Sequence, residues 1–343
     1  MPNYVPMLRM KRGELVAVQH LQAATKARIT PYLDVSQDRF RETKATSKKP
    51  AASAPDAIAD DLAKHWGKGK IFIDASKVAP SATSPSPIVE IANACAALGI
   101  SMVPATQLTA DATYQAEVRA VALKQGLGIC LKVDLAEMTS ASSWISTLPF
   151  PPAEIDLIVD LGSAVSTVLS LGPAISAAFK TLAAASSWRS VTMAGSSMPE
   201  NFTGYASGSY LISRDEATLW GNIVASGLPY TLDFGDYTTV AVTAPASGIA
   251  WGFPINARYT LDDEFLVCRG VKTTGPTAVD LSVQLVGHAR SIVAHPKRIS
   301  LTGCWADKQI NSIAASGAGQ GNLETWVKLG VNRHIELIRA RLP

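Results

Sequence analysis

Cysteine, histidine and net charge are all scarce in this sequence. Its four cysteines, Cys95, Cys130, Cys268 and Cys304, lie too far apart for the paired spacing of a zinc site. They are also too few for a disulfide scaffold, so they read as reduced core residues of a cytosolic protein. The five histidines, His20, His65, His288, His295 and His334, show no metal spacing on one helix. A formal net charge of +3 excludes general attraction to nucleic acid or an anionic membrane and leaves only a local patch for such binding. The N-terminus lacks the basic start and unbroken apolar core of a secretion signal. The longest apolar stretch, 165–188, is rich in Ala and Ser and carries Pro173 and Lys180, which fits a packed helix better than a membrane span. No membrane partner is expected.

What is present is enough apolar material for a large core: 47% of the 343 residues are hydrophobic and 17% charged. Short β-rich apolar runs alternate with longer Ala-rich stretches. Eight such runs fall at 4–10, 29–35, 70–75, 101–107, 128–134, 156–161, 190–194 and 230–234. The stretches between them, 13–24, 55–66, 87–98, 114–124, 139–147, 163–185 and 214–226, predict helices. Gly99, Gly126 and Gly227 stand where those helices stop and a strand begins. Strands joined through helices imply right-handed crossovers and a parallel sheet, and eight units favour closure. The expectation is one α/β domain over 1–343, a (β/α)₈ TIM-like barrel with a β-hairpin insertion after strand eight within 245–275 and a C-terminal helical extension over 307–343. The hairpin pairs 255–261 with 264–269 around Asp262-Asp263, and the helix at 279–293 is expected to be the eighth outer one.

In such a barrel, functional groups sit at the C-terminal ends of strands. Those positions hold Arg9, Lys11, Asp34, Asp74, Gln107, Lys132, Asp134, Asp160, Ser196, Ser197, Asp233 and Asp236. Six carboxylates on one rim, with cations among them, could push pKa values apart for acid–base work or hold a divalent metal such as Mg or Mn. The bland alternative is that each Asp caps the following helix. The turn Lys11-Arg12-Gly13-Glu14 could bind a phosphate or simply start a helix. The loop 37–49 holds Arg39, Arg41, Lys44, Lys48 and Lys49 against Asp38 and Glu42, and it could clamp a nucleotide or nucleic acid or remain a solvated loop. Near the end, Trp326, Asn332, Arg333 and His334 form a polar–aromatic cluster that could fold back over the mouth. Asp233-Phe234-Gly235, Gly195-Ser196-Ser197 and the glycines 317, 319 and 321 copy catalytic or phosphate motifs but lack their structural context.

Several short pieces in consistent order carry a resemblance: Tyr4-Val5-Pro6-Met7-Leu8, Lys11-x-Gly13-Glu14, Ile29-Thr30-Pro31, Asp160-Leu161-Gly162, Gly235-Asp236-Tyr237, Arg258-Tyr259-Thr260, Arg269-Gly270, Trp326 and Asn332-Arg333-His334. Together they are similar to the beta protein family of phages and bacteria, across nearly the whole chain. The resemblance implies a prophage or mobile-element protein linked with defence against phage or with restraint of a toxic partner encoded nearby, and it brings no established reaction. It marks Lys11, Glu14, Asp160, Asp236, Arg258, Arg269 and His334 as important without giving any a role. Two functions stay open: recognition of a partner at the barrel mouth, or metal-assisted hydrolysis of a nucleotide or nucleic acid by the Asp ring.

Overall fold

The computed structural model describes residues 1–43, 51–148, 150–243 and 254–343. Among them eleven strands occur in chain order: β1 (Tyr4–Arg9), β2 (Tyr32–Asp34), β3 (Ile71–Asp74), β4 (Met102–Gln107), β5 (Ile129–Val133), β6 (Ile155–Asp160), β7 (Ser190–Gly195), β8 (Gly208–Ser213), β9 (Leu232–Asp236), β10 (Asn256–Thr260) and β11 (Glu264–Arg269). All but β8, β10 and β11 close into one parallel barrel, with β9 returning to pair with β1. The expected (β/α)₈ architecture is therefore present.

Strand pleat divides the apolar side chains into two layers. Val5, Met7, Tyr32, Phe72, Val103, Cys130, Ile158 and Ala194 fill the barrel interior. Their neighbours Tyr4, Leu8, Leu33, Ile73, Leu131, Leu157 and Phe234 face outward and pack under the helices. The three helix-stop glycines, Gly99, Gly126 and Gly227, take φ of 70°, 67° and 75°, the left-handed region that spares glycine a side-chain clash. The stretch Gly162–Leu182 is long and apolar enough to cross a membrane, yet it is broken into short helical turns before Gly172 and buries Val165, Ile175, Phe179 and Leu182 in the outer barrel layer. It is an outer helix of the barrel.

Two features differ from the sequence expectation. The insertion is not a lone hairpin: β10 and β11 form it as expected, but β8, which leaves the barrel between β7 and β9, adds to it in the order β10-β11-β8, all antiparallel. Gly208-Ser-Tyr-Leu-Ile-Ser escapes a sequence reading because its side chains are mostly exposed or half-buried, so no apolar run announces it. Nor is the eighth outer helix the one near 279–293. That helix, Leu281–Ala294, packs with the helix Trp305–Ser316 and the antiparallel sheet around a second core of Leu285, Ala289, Ile292, Ile310 and Ile313. The barrel instead receives the last helix, Leu323–Arg341, whose Val331, Ile335 and Ile338 join the outer barrel layer beside the first helix, Arg12–Gln19. Its Trp326 and Leu329 belong to the second core, so one helix is shared by barrel and side module.

Candidate functional site

The interior end of the barrel collects part of the expected Asp ring. Asp34, Asp74 and Asp160 follow the inward-facing Tyr32, Phe72 and Ile158 by two residues and so face inward themselves. Each is already engaged. Asp74, buried, accepts hydrogen bonds from the Tyr32 hydroxyl, from Gln107 Nε2 at 3.2 Å and from the Ser76 amide at 2.9 Å. Asp160 accepts from the Tyr237 hydroxyl and the Gly162 amide and lies 3.6 Å from the Lys132 ammonium. Asp34 is paired with Lys77, while its Oδ1 is buried without a partner among the described residues. Lys132 also stands 5.4 Å over the Tyr32 ring. Burial and the neighbouring carboxylates push the Tyr32 and Tyr237 phenols well above their ordinary value, so both remain hydrogen-bond donors.

Three of the six rim carboxylates are elsewhere. Asp134 caps the helix Leu135–Thr139 in a capping box with Glu137. The eighth barrel strand ends at Asp236 rather than 234, which moves Asp233 to the opposite face, where it accepts from the Asn3 amide at 2.7 Å. There Asp156 also ties Lys70 and Arg189 together at 2.7 and 2.6 Å. Burial pushes Asp156 up, but Arg189 and Lys70 outweigh it and hold the carboxyl below its usual range. Asp236 reaches the correct end but faces out of the barrel, because it follows the outward-facing Leu232 and Phe234. The mouth therefore does not include it.

Asp236 instead anchors a buried joint. Its Oδ1 accepts from the Tyr4 hydroxyl at 2.7 Å and the Thr238 amide at 3.0 Å, and its Oδ2 lies 2.7 Å from His334 Nε2. His334 Nδ1 lies 2.9 Å from the Thr260 hydroxyl of β10, and Arg214, 3.7 Å from Asp236, also pairs with buried Glu216. Burial raises the cost of charge on Asp236, yet His334 and Arg214 hold its carboxyl below the ordinary value. His334 thus joins barrel, sheet and last helix and does not cover the mouth. Arg333 and Asn332 are likewise structural. The Arg333 guanidinium sits 4.9 Å over Tyr259 and donates to the Ile299 carbonyl, and Asn332 bonds the backbone of Ala17 and Ala306.

The remaining sequence candidates meet in a different place. A cavity of about 760 Å³ opens between the barrel and the side module, lined from the barrel by Arg9, Lys11, Glu14 and Ala241 and from the module by Arg258, Arg269, Ile255, Leu281 and Trp326. Arg9 donates to the carbonyls of Ala241 and Val242. Arg258 donates to the Thr239 carbonyl at 2.7 Å and lies 5.3 Å from the Phe202 ring. That carbonyl is placed by an uncommon turn, in which Thr238 adopts φ 55°, a left-handed value seldom taken by a β-branched residue. Burial and the nearby charge of Arg9 lower Arg258 to about 10. Glu14, buried, accepts from the Arg9 amide at 2.7 Å, and burial pushes it up to about 7. Lys11 stands immediately before the first helix without an ion-pair partner among the described residues. Arg269 bonds the Tyr205 carbonyl and Asn256, while Trp326 donates to the Gln320 carbonyl.

Among the described residues no carboxylate lies within ion-pair distance of Arg9, Lys11, Arg258 or Arg269. The sequence of 244–253, outside those residues, contains no Asp or Glu either. The described residues of the basic loop are not among those lining this cleft. Arg39 pairs with Asp61 at 3.0 Å, Arg41 is exposed beside a separate cavity, and Lys44, Lys48 and Lys49 lie outside the described residues. Arg9, Phe202 and Thr239 are lining residues that the sequence alone gives no reason to group with Arg258. No three His, Cys, Asp or Glu side chains among the described residues are grouped to hold a metal.

A closed (β/α)₈ barrel with a side module, and a cationic cleft where the two meet, is the class this architecture defines. The family model for Beta protein matches residues 4–339, and the chain belongs to that family. No curated protein matches it.

Proposed function

We propose that this protein works by recognition at the C-terminal side of its barrel, with the cleft between barrel and side module as the docking site. Its setting would be the cytoplasm of a bacterium carrying a phage or mobile element, where it serves defence against phage or restrains a toxic partner encoded nearby. The observation that carries this reading is the contrast in charge: four cations of the cleft lack a carboxylate partner among the described residues, whereas two of the three mouth carboxylates, Asp34 and Asp160, face lysines of the chain itself. Unpaired guanidinium groups beside an apolar wall are a ready site for an anionic ligand. The test is a bacterial host expressing the chain, challenged with a phage panel and, separately, with an induced toxin gene from the same locus. The Arg258→Gln/Arg269→Gln protein should lose protection while remaining folded. Full protection by that folded double variant would remove the cleft from the function.

A second reading, metal-assisted hydrolysis of a nucleotide at the mouth, draws support from one observation. Asp34 and Asp74 are register partners on adjacent strands, and Asp34 Oδ1 is buried without a hydrogen bond. Titrating the protein with Mg or Mn while following phosphate release from nucleotides tests it, and an Asp34→Asn/Asp74→Asn protein should abolish any turnover. Absence of both metal heat and turnover would sink it.

A further inference from the structure

We infer that the cleft binds a nucleoside phosphate, its phosphate held between the guanidinium groups of Arg9 and Arg258 and its base against the apolar wall of Ile255, Leu281 and Trp326. This deepens the docking reading and rests on it. Arg9 comes from the end of β1 and Arg258 from β10, so the two charges belong to opposite walls of the junction. Both line the same cavity, and Arg9 adds its charge to the burial that already lowers Arg258. Each already spends hydrogen bonds on backbone carbonyls, which fixes its direction without neutralising it. Two oriented, mutually repelling guanidinium groups gain most from a shared anion, because it turns repulsion into two charge-assisted contacts. Lys11 and Arg269 extend the positive lining.

The carboxylates on the same walls cancel only part of this charge. Glu324 is paired with Lys328 at 2.7 Å and lies 3.6 Å from Arg12, and Glu200 accepts from the Thr243 hydroxyl at 2.6 Å. Burial raises Glu14 toward neutrality, which spares an incoming phosphate its full repulsion. Size and lining choose the class of ligand. A volume of about 760 Å³ far exceeds a bare phosphate and falls in the range that encloses a small organic molecule. The apolar wall adds burial that a bare phosphate cannot use. An acidic protein segment is the competing occupant, and a cavity with a guanidinium group on each of two walls suits it less than a compact phosphate does.

The experiment is isothermal titration of the full chain at low salt with four probes: ADP, pyrophosphate, adenosine and a glutamate-rich decapeptide. ADP should bind at one site, pyrophosphate more weakly and adenosine undetectably. The Arg258→Gln and Lys11→Ala proteins, checked for native melting, should bind ADP on the order of tenfold or more weakly. Arg119→Ala, on an exposed helix face elsewhere, should bind like the native chain. The inference falls if ADP gives no saturable heat at millimolar concentration, if folded Arg258→Gln binds it as tightly as the native chain, if pyrophosphate equals ADP, or if the peptide binds more tightly than ADP. Loss of phage protection in the Arg258→Gln/Arg269→Gln protein, without ADP binding by the native chain, would remove the nucleotide and leave the docking reading intact.

Discussion

The barrel mouth and the neighbouring cleft treat their charged side chains in opposite ways. In the mouth, Asp34 and Asp160 face the ammonium groups of Lys77 and Lys132, so their charge is consumed locally, and Asp74 is held by neutral hydroxyl and amide donors. In the cleft, Arg9 and Arg258 are directed by backbone carbonyls, which accept hydrogen bonds but carry no charge to cancel theirs. The difference teaches that polarity alone does not mark a site. What distinguishes a receptive surface is charge whose partner is missing, since an incoming ligand then replaces water rather than an existing ion pair.

The sharpest way to break that comparison is to attack the joint on which the cleft depends. Asp236→Ala leaves buried His334 without its carboxylate and Arg214 with Glu216 alone, and urea denaturation should show a loss of about 3–5 kcal/mol. A loss below about 1 kcal/mol would mean that barrel and module hold together without it.

Next in size is the Glu14 carboxyl. Its folded pKa of about 7 lies above the ordinary 4.5, so between those values the folded chain keeps a proton that the unfolded chain has released. The groups facing it are Arg9, Lys11 and Asp34. Its contribution therefore falls as pH rises through that window and levels off above it, by up to about 3 kcal/mol. Glu14→Gln should remove this slope, read as the difference between native and variant stability from pH 4.5 to 7.5. Parallel pH curves for the two proteins would contradict the assignment.

A smaller effect sharpens the contrast directly. ADP at about a hundred times its native dissociation constant should stabilise the native chain by about 2.7 kcal/mol and the Arg258→Gln chain by about 1.4 kcal/mol or less, measured as a shift in melting temperature. The smallest concerns the mouth. Lys77→Ala breaks an ion pair whose lysine is 61% exposed, so it should cost less than about 1 kcal/mol and should not alter ADP binding.

Much of the fold is legible in the sequence because local signals are repeated. Each βα unit brings its own apolar run and helix, three of them end in a glycine stop, and the paired runs around Asp262-Asp263 announce the hairpin. The site is legible only in pieces. Lys11, Glu14, Arg258, Arg269 and Trp326 stand out as residues, and nothing in their spacing says that they share one cavity. The strand β8 and the placing of the last helix as the eighth outer helix depend on pairing across long chain separations, which no local pattern encodes.

Composition and periodicity thus determine that this chain makes a closed barrel with a hairpin module and a helical tail. Only the tertiary structure decides which strand-end aspartates face the mouth. Parallel strands are covered on both faces, so their apolar runs carry no alternation from which inside and outside could be told. Asp160 and Asp236 look alike as sequence, but pleat and register turn one into the barrel and the other out to His334.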